Sequence, residues 1–97
     1  MKKIEIIWSP FAEESYLLIL KYILENWNIK EAQDFENKVE SLLERLKIHK
    51  HLCPASKIQK NLRRCVITPQ TSLIYQLKND HIIELVAFFD NRSNHKF

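Results

Sequence analysis

The sequence contains no glycine. That residue ordinarily supplies positive φ angles and close backbone approaches. Turns therefore fall to Asn, Asp, Pro and Ser, and the chain is expected to be short in loops and rich in regular structure. Cysteine is scarce as well. Cys53 and Cys65 are the only two, which excludes a disulfide framework and reads as a pair of free, buried thiols. No apolar run approaches the roughly 18 to 20 residues of a membrane span. Lys2-Lys3 is followed by alternating Ile4-Glu5-Ile6, unlike a signal-peptide core, so a cytoplasmic protein without membrane contact is expected. What is present is ordinary: 97 residues, 45% hydrophobic and 28% charged, enough for one domain over residues 1–97 with a single modest core. The charge is uneven. Residues 1–46 carry six basic and nine acidic side chains, residues 47–97 nine and three. A basic half of this kind suits phosphate or an acidic protein segment.

Residues 71–78 and 81–89 are two runs of β-branched, aromatic and leucine residues around Asn79-Asp80. Both break residues tolerate positive φ, so the pattern predicts a tight hairpin. A two-residue loop sets Lys78 opposite His81, Leu77 opposite Ile82, Tyr75 opposite Glu84, Leu73 opposite Val86 and Ser72 opposite Ala87. One face then holds Leu73, Tyr75, Leu77, Ile82, Val86 and Phe88; the other holds Ile74, Gln76, Ile83, Leu85 and Phe89. Neither is polar enough to lie in water. The hairpin is thus expected at the centre of a sheet, covered on one side by helices and available on the other, at least in part, to a partner, with the pattern compatible with either side.

Residues 3–8 alternate in part and predict a first strand. Ser9-Pro10 stops it and starts a helix, with Ser9 as N-cap and Pro10 at the first helical position. In that helix Ala12, Tyr16, Ile19, Leu20 and Ile23 form one face. Leu17, Leu18 and Leu24 fall outside it and need cover, expected from a second helix; a docking partner is the sharper alternative. Asn28 and Glu31 are spaced as a capping box for that second helix. There Ala32, Phe35, Val39, Leu42, Leu43 and Leu46 share a stripe, while Glu36, Glu40 and Glu44 form a solvated face. Residues 62–67 predict a second strand, and Thr68-Pro69-Gln70 turns it into the hairpin. The fold class expected is α+β: two N-terminal helices on one face of a small, mainly antiparallel sheet, in the order β-α-α-β-β-β.

Candidate functional residues cluster in the basic half. His49, His51, Cys53 and Cys65 could in principle supply four zinc ligands, but their spacing matches no closed structural pattern, so no metal or other cofactor is expected. Lys57, Lys60, Arg63 and Arg64 are candidates for binding a target or nucleic acid through phosphate or carboxylate. One of the two adjacent arginines must point away from the core. The polar tail, residues 90–97, leaves directly from a strand and brings Arg92 and His95.

Four pieces together, Ile6-Ile7-Trp8-Ser9-Pro10 with Ala12-Glu13-Glu14, the helical pair, Leu62-Arg63-Arg64-Cys65-Val66-Ile67, and Leu73-Ile74-Tyr75-Gln76-Leu77 with its return strand and basic tail, resemble the RelE/ParE superfamily of toxins from type II toxin–antitoxin systems. The long first helix opening Ser-Pro-x-Ala-Glu-Glu is more similar to the ParE side. The resemblance implies a growth-inhibiting toxin of the kind that serves plasmid stabilization, held in a hetero-oligomer by a cognate antitoxin. It further implies action by binding a macromolecular target such as DNA gyrase. The alternative it implies is a RelE-like, ribosome-dependent mRNA endoribonuclease, in which Arg92 and His95 would be catalytic with Arg63 or Arg64. RelE-like ribonucleases carry an arginine near the Leu-x-Tyr of the third strand, where this chain has Thr71 and Ser72, and its last residue, Phe97, cannot donate a proton.

Overall fold

The computed structural model describes residues 3–57, 59 and 61–91. Strand β1 (Glu5–Trp8) leads into helix α1 (Pro10–Asn26) and helix α2 (Ile29–Ile48). Strands β2 (Leu62–Thr68), β3 (Thr71–Asn79) and β4 (Ile82–Asp90) follow. The sheet order is β1-β4-β3-β2. β1 runs parallel to β4, and the other two pairings are antiparallel. This is the expected α+β layout.

The helix starts are those the sequence predicts. The Ser9 side chain accepts a 3.0 Å bond from the Ala12 N–H, and Asn28 Oδ1 accepts one of 2.8 Å from the Glu31 N–H, each satisfying a donor that a first helical turn leaves over. On α2, Ala32, Phe35, Val39, Leu42 and Leu46 are buried. Each of the larger four contributes roughly 1.5–3 kcal/mol through burial. Leu73, Tyr75, Ile83, Leu85 and Phe88 meet them from the sheet, with Ala12 of α1 between. Trp8, Tyr16, Phe35 and Phe88 form an aromatic cluster, with Tyr16 5.2 Å from both Trp8 and Phe88 and 5.9 Å from Phe35. Burial, followed by the nearby Glu36 and Glu40 carboxylates, raises the Tyr16 pKa.

The hairpin differs from its predicted register. The turn residues are Asp80 and His81, because Asn79 pairs with Ile82 and its Oδ1 accepts a 2.8 Å bond from the His81 N–H. None of the described residues has a positive φ. Tyr75 stands opposite Leu85, not Glu84; Leu73 opposite Phe88, not Val86; Leu77 opposite Ile83; and Ser72 opposite Phe89. The displaced turn and two bulges together cause this, one bulge adding Lys78 to β3 and one adding Val86 to β4. A bulge shifts the phase of every residue beyond it. The helix-facing set is therefore Leu73, Tyr75 and Leu77 with Ile83, Leu85 and Phe88, a mixture of the two predicted faces. The start of α1 supplies partners to β4 beyond its last pair with β1, Trp8 with Leu85. Ser9 Oγ donates to the Val86 carbonyl at 3.1 Å, and the buried Phe88 N–H donates to Ser15 Oγ at 3.0 Å.

Two further expectations are corrected. Cys53 and Cys65 are not free thiols: they are joined in a disulfide, because the chain before β2 folds back along that strand's outer edge. Leu17, Leu18 and Leu24 are not covered by α2, and remain 56%, 60% and 50% exposed. Helix α2 packs on the opposite flank of α1, toward Tyr16 and Phe35.

Candidate functional site

Successive side chains on a strand point to opposite faces, and this separates Arg63 from Arg64. Arg63 pairs with Tyr75 on the helix side of the sheet, and its Nη1 donates to the Cys53 carbonyl at 2.6 Å. Tyr75 Oη donates to the Lys50 carbonyl at 2.8 Å and accepts from the Cys53 N–H at 3.4 Å. Burial is the main cause that raises the Tyr75 pKa, with the Cys53 hydrogen bond and the Arg63 charge opposing it. Arg63 and Tyr75 thus hold the segment that precedes β2.

Arg64 lies on the other face, opposite Ile74. Its Nε donates to Ser72 Oγ at 3.3 Å and its Nη2 to Asn91 Oδ1 at 3.0 Å. The guanidinium carbon stands 5.3 Å from the centre of the Phe89 ring, a cation–π distance. Ser72 Oγ also donates to Asn91 Oδ1, at 2.5 Å. Asn91 closes the arrangement: its Nδ2 donates to the Thr68 and Pro69 carbonyls at 3.4 and 3.2 Å, and its N–H to the Gln70 carbonyl at 2.7 Å. The end of β4 is thereby tied to the β2–β3 turn, and a planar cation is held in one orientation. A guanidinium has five N–H donors in a fixed fork, so a positioned one can meet phosphate or carboxylate with little ordering cost. Ser72, Ile74, Ala87 and Phe89 beneath it are buried, while Val66 beside it is 64% exposed.

Of the predicted site residues, Lys57 is exposed in the segment before β2. Lys60, Arg92 and His95 lie outside the described residues. The disulfide removes Cys53 and Cys65 as thiolate ligands, and among the described residues no group of three or more His, Cys, Asp or Glu side chains is placed to hold a metal ion. Sequence reasoning missed Ser72, Phe89 and Asn91. Ser72 and Asn91 are 19 residues apart in the chain, and only the bulged register of β4 brings them together.

A second surface is apolar. On α1, Phe11, Leu18 and Tyr22 are 59%, 60% and 50% exposed, and Trp27 beyond the helix end is 61% exposed. Leu18, Tyr22, Trp27 and Phe35 line a cavity of about 450 Å³ whose far wall is the β2–β3 turn, Thr68 to Thr71, and whose rim carries Glu31, Asp34 and Lys38.

The model of the ParE toxin of the type II toxin–antitoxin system parDE matches residues 6–95. The chain belongs to the ParE toxin family. No curated protein matches it in sequence. In structure, this ParE-family chain is similar to a protein of the chromosomal ParDE toxin–antitoxin system from P. aeruginosa, with TM-score 0.71, 11% identity, and 90% of this chain and 95% of that one covered. It is also similar to a chain of the heterotetrameric YoeB-YefM toxin–antitoxin complex from Staphylococcus aureus, with TM-score 0.60, 20% identity, and 93% and 98% covered. YafQ from E. coli gives TM-score 0.58 and 19% identity, with 91% and 93% covered. Identities this low carry the fold, and the fold is shared by neighbours of both the ParDE and the YoeB-YefM systems.

Proposed function

We propose that this ParE-family toxin acts in the cytoplasm by binding and inhibiting a macromolecular target such as DNA gyrase, and that a cognate antitoxin holds it in a hetero-oligomer. The observation that carries the reading is the fixed guanidinium of Arg64. Ser72, Asn91 and Phe89 orient it without any of them being an acid or a base at neutral pH, which suits recognition of an anionic group more than proton transfer. The antitoxin's place is the exposed apolar face of α1. Phe11, Leu18 and Tyr22 follow the spacing of one helical stripe, and an apolar stripe beside a groove suits an amphipathic helix. The acidic rim at Glu31 and Asp34 favours basic residues on that helix.

The second reading, a ribosome-dependent mRNA endoribonuclease, has one observation in its favour: Asn91 is bonded to Arg64, and Arg92 is the next residue in the chain. Two assays separate the readings. A gyrase supercoiling assay is expected to show inhibition that Arg64→Ala relieves. A ribosome-programmed mRNA cleavage assay is expected to show intact transcripts. Cleaved transcripts that vanish with Arg92→Ala and His95→Ala would replace the first reading by the second.

A further inference from the structure

In the sheet order β1-β4-β3-β2, β2 is an edge strand, and an edge presents unpaired N–H and C=O groups to any strand that arrives. Part of this edge is capped from within the chain. The Ser56 N–H donates to the Leu62 carbonyl at 2.7 Å, the Arg64 N–H donates to the Pro54 carbonyl at 3.1 Å, and Ala55 bridges Arg63. Beyond this cap the edge continues to Val66, which is exposed. The capping segment, residues 50–57, is irregular and has little apolar burial of its own. Among its fastenings are the Arg63 and Tyr75 contacts on Cys53 and Lys50, the Lys50 Nζ bond to the Asp80 carbonyl at 3.2 Å, and the Cys53–Cys65 bond.

We propose that Cys53 and Cys65 form a reversible oxidation site that clamps residues 50–57 over the outer edge of β2 when joined and lets that edge open when reduced. The two positions are suited to different tasks. Cys53 lies in the segment at 8% exposure, and Cys65 lies in the strand at 2%, turned into the core. Cys53 is therefore the thiol that meets an external reagent, and Cys65 the one that resolves the product. In oxidation by a small-molecule disulfide, the Cys53 thiolate attacks one sulfur and expels a thiolate, leaving a mixed disulfide. The Cys65 thiolate then attacks Cys53 Sγ and expels the second small thiol. The protein loses two protons and two electrons, and the small disulfide gains them as two thiols. Reduction runs the same steps backward. One bond in a chain with an ordinary apolar core is not the dense framework of a secreted miniature fold, and in a thiol-rich compartment an isolated bond is typically transient or sensing. The inference is independent of the toxin's target and of its antitoxin.

The test uses the full-length protein equilibrated at graded ratios of glutathione to glutathione disulfide. Alkylation followed by intact mass is expected to show an oxidised form two hydrogens lighter with both cysteines blocked. Amide exchange of Ser56 and Arg64, followed by NMR, is expected to be slower in that form, by up to about a hundredfold, than in the reduced form. Cys53→Ser is expected to exchange at the reduced rate under both conditions. Thiols that stay alkylatable at every ratio, a reaction that stops at the glutathione adduct, or Ser56 and Arg64 rates that ignore oxidation would each overturn the proposal. Because the exchange comparison is made on the unsubstituted protein, it stands even where the serine variant fails to fold.

Discussion

The two candidate surfaces of this molecule are built in opposite ways. Around Arg64 the groups are satisfied from within: Ser72, Asn91 and the Phe89 ring fix one cation. Along α1 the apolar side chains of Phe11, Leu18 and Tyr22 are half or more exposed. A pre-ordered polar site suits a rigid, charged target and gives orientation. A bare apolar stripe gives affinity to whatever covers it, since burial of that area is the main free-energy source available there. Under the proposed function, the first surface reads the target and the second holds the antitoxin.

The contrast can be broken most sharply at α1. Leu18→Glu with Tyr22→Glu is expected to weaken antitoxin binding by a hundredfold or more, about 3 kcal/mol, while the thermal midpoint stays within a few degrees. Calorimetric titration against the antitoxin together with a thermal melt reads both. A collapse of the melt with unchanged binding would mean that the stripe belongs to the core. On the other side, Asn91→Ala removes the acceptor of Arg64 and Ser72 and frees two turn carbonyls. The expected cost is about 1–3 kcal/mol in urea unfolding. Arg64→Lys keeps the charge but not the fork, and is expected to reduce target inhibition on the order of tenfold without changing stability by more than about 0.5 kcal/mol. A stable but fully active Arg64→Lys protein would remove the site.

The smallest effect is set by pH and concerns the interior that separates the two sides. The Tyr16 and Tyr75 pKa values are both raised in the fold, so the neutral phenols are the forms it favours. Their contribution to stability is complete below the unfolded value of about 10 and is lost as pH rises through the higher folded values. Urea midpoints are expected to fall as pH rises past about 10, and less steeply in Tyr16→Phe. Equal falls in both proteins would exclude Tyr16 as a contributor.

Much of this architecture is legible in the sequence, for identifiable reasons. Ser9 and Asn28 cap their helices within three residues of their partners, and the α2 stripe repeats at helical spacing; both signals are local. The hairpin register is not legible, because both of its faces are apolar and no alternation marks where Lys78 and Val86 bulge. The disulfide is hidden for a related reason: two cysteines give no indication that residues 50–57 return along β2. The separation of Arg63 from Arg64 follows from strand periodicity, but which of them faces the helices depends on the unread register. Ser72 and Asn91 carry no motif at all.

The hydroxyls of Ser9 and Ser15 give β4 partners at Val86 and Phe88, beyond its last pair with β1 at Leu85. Helix and ribbon are therefore laced by shared stitches instead of merely resting on each other. Warming that frees α1 also deprives β4 of those partners, so circular dichroism of helix and near-ultraviolet signals of Trp8 should disappear in one sigmoid at one temperature.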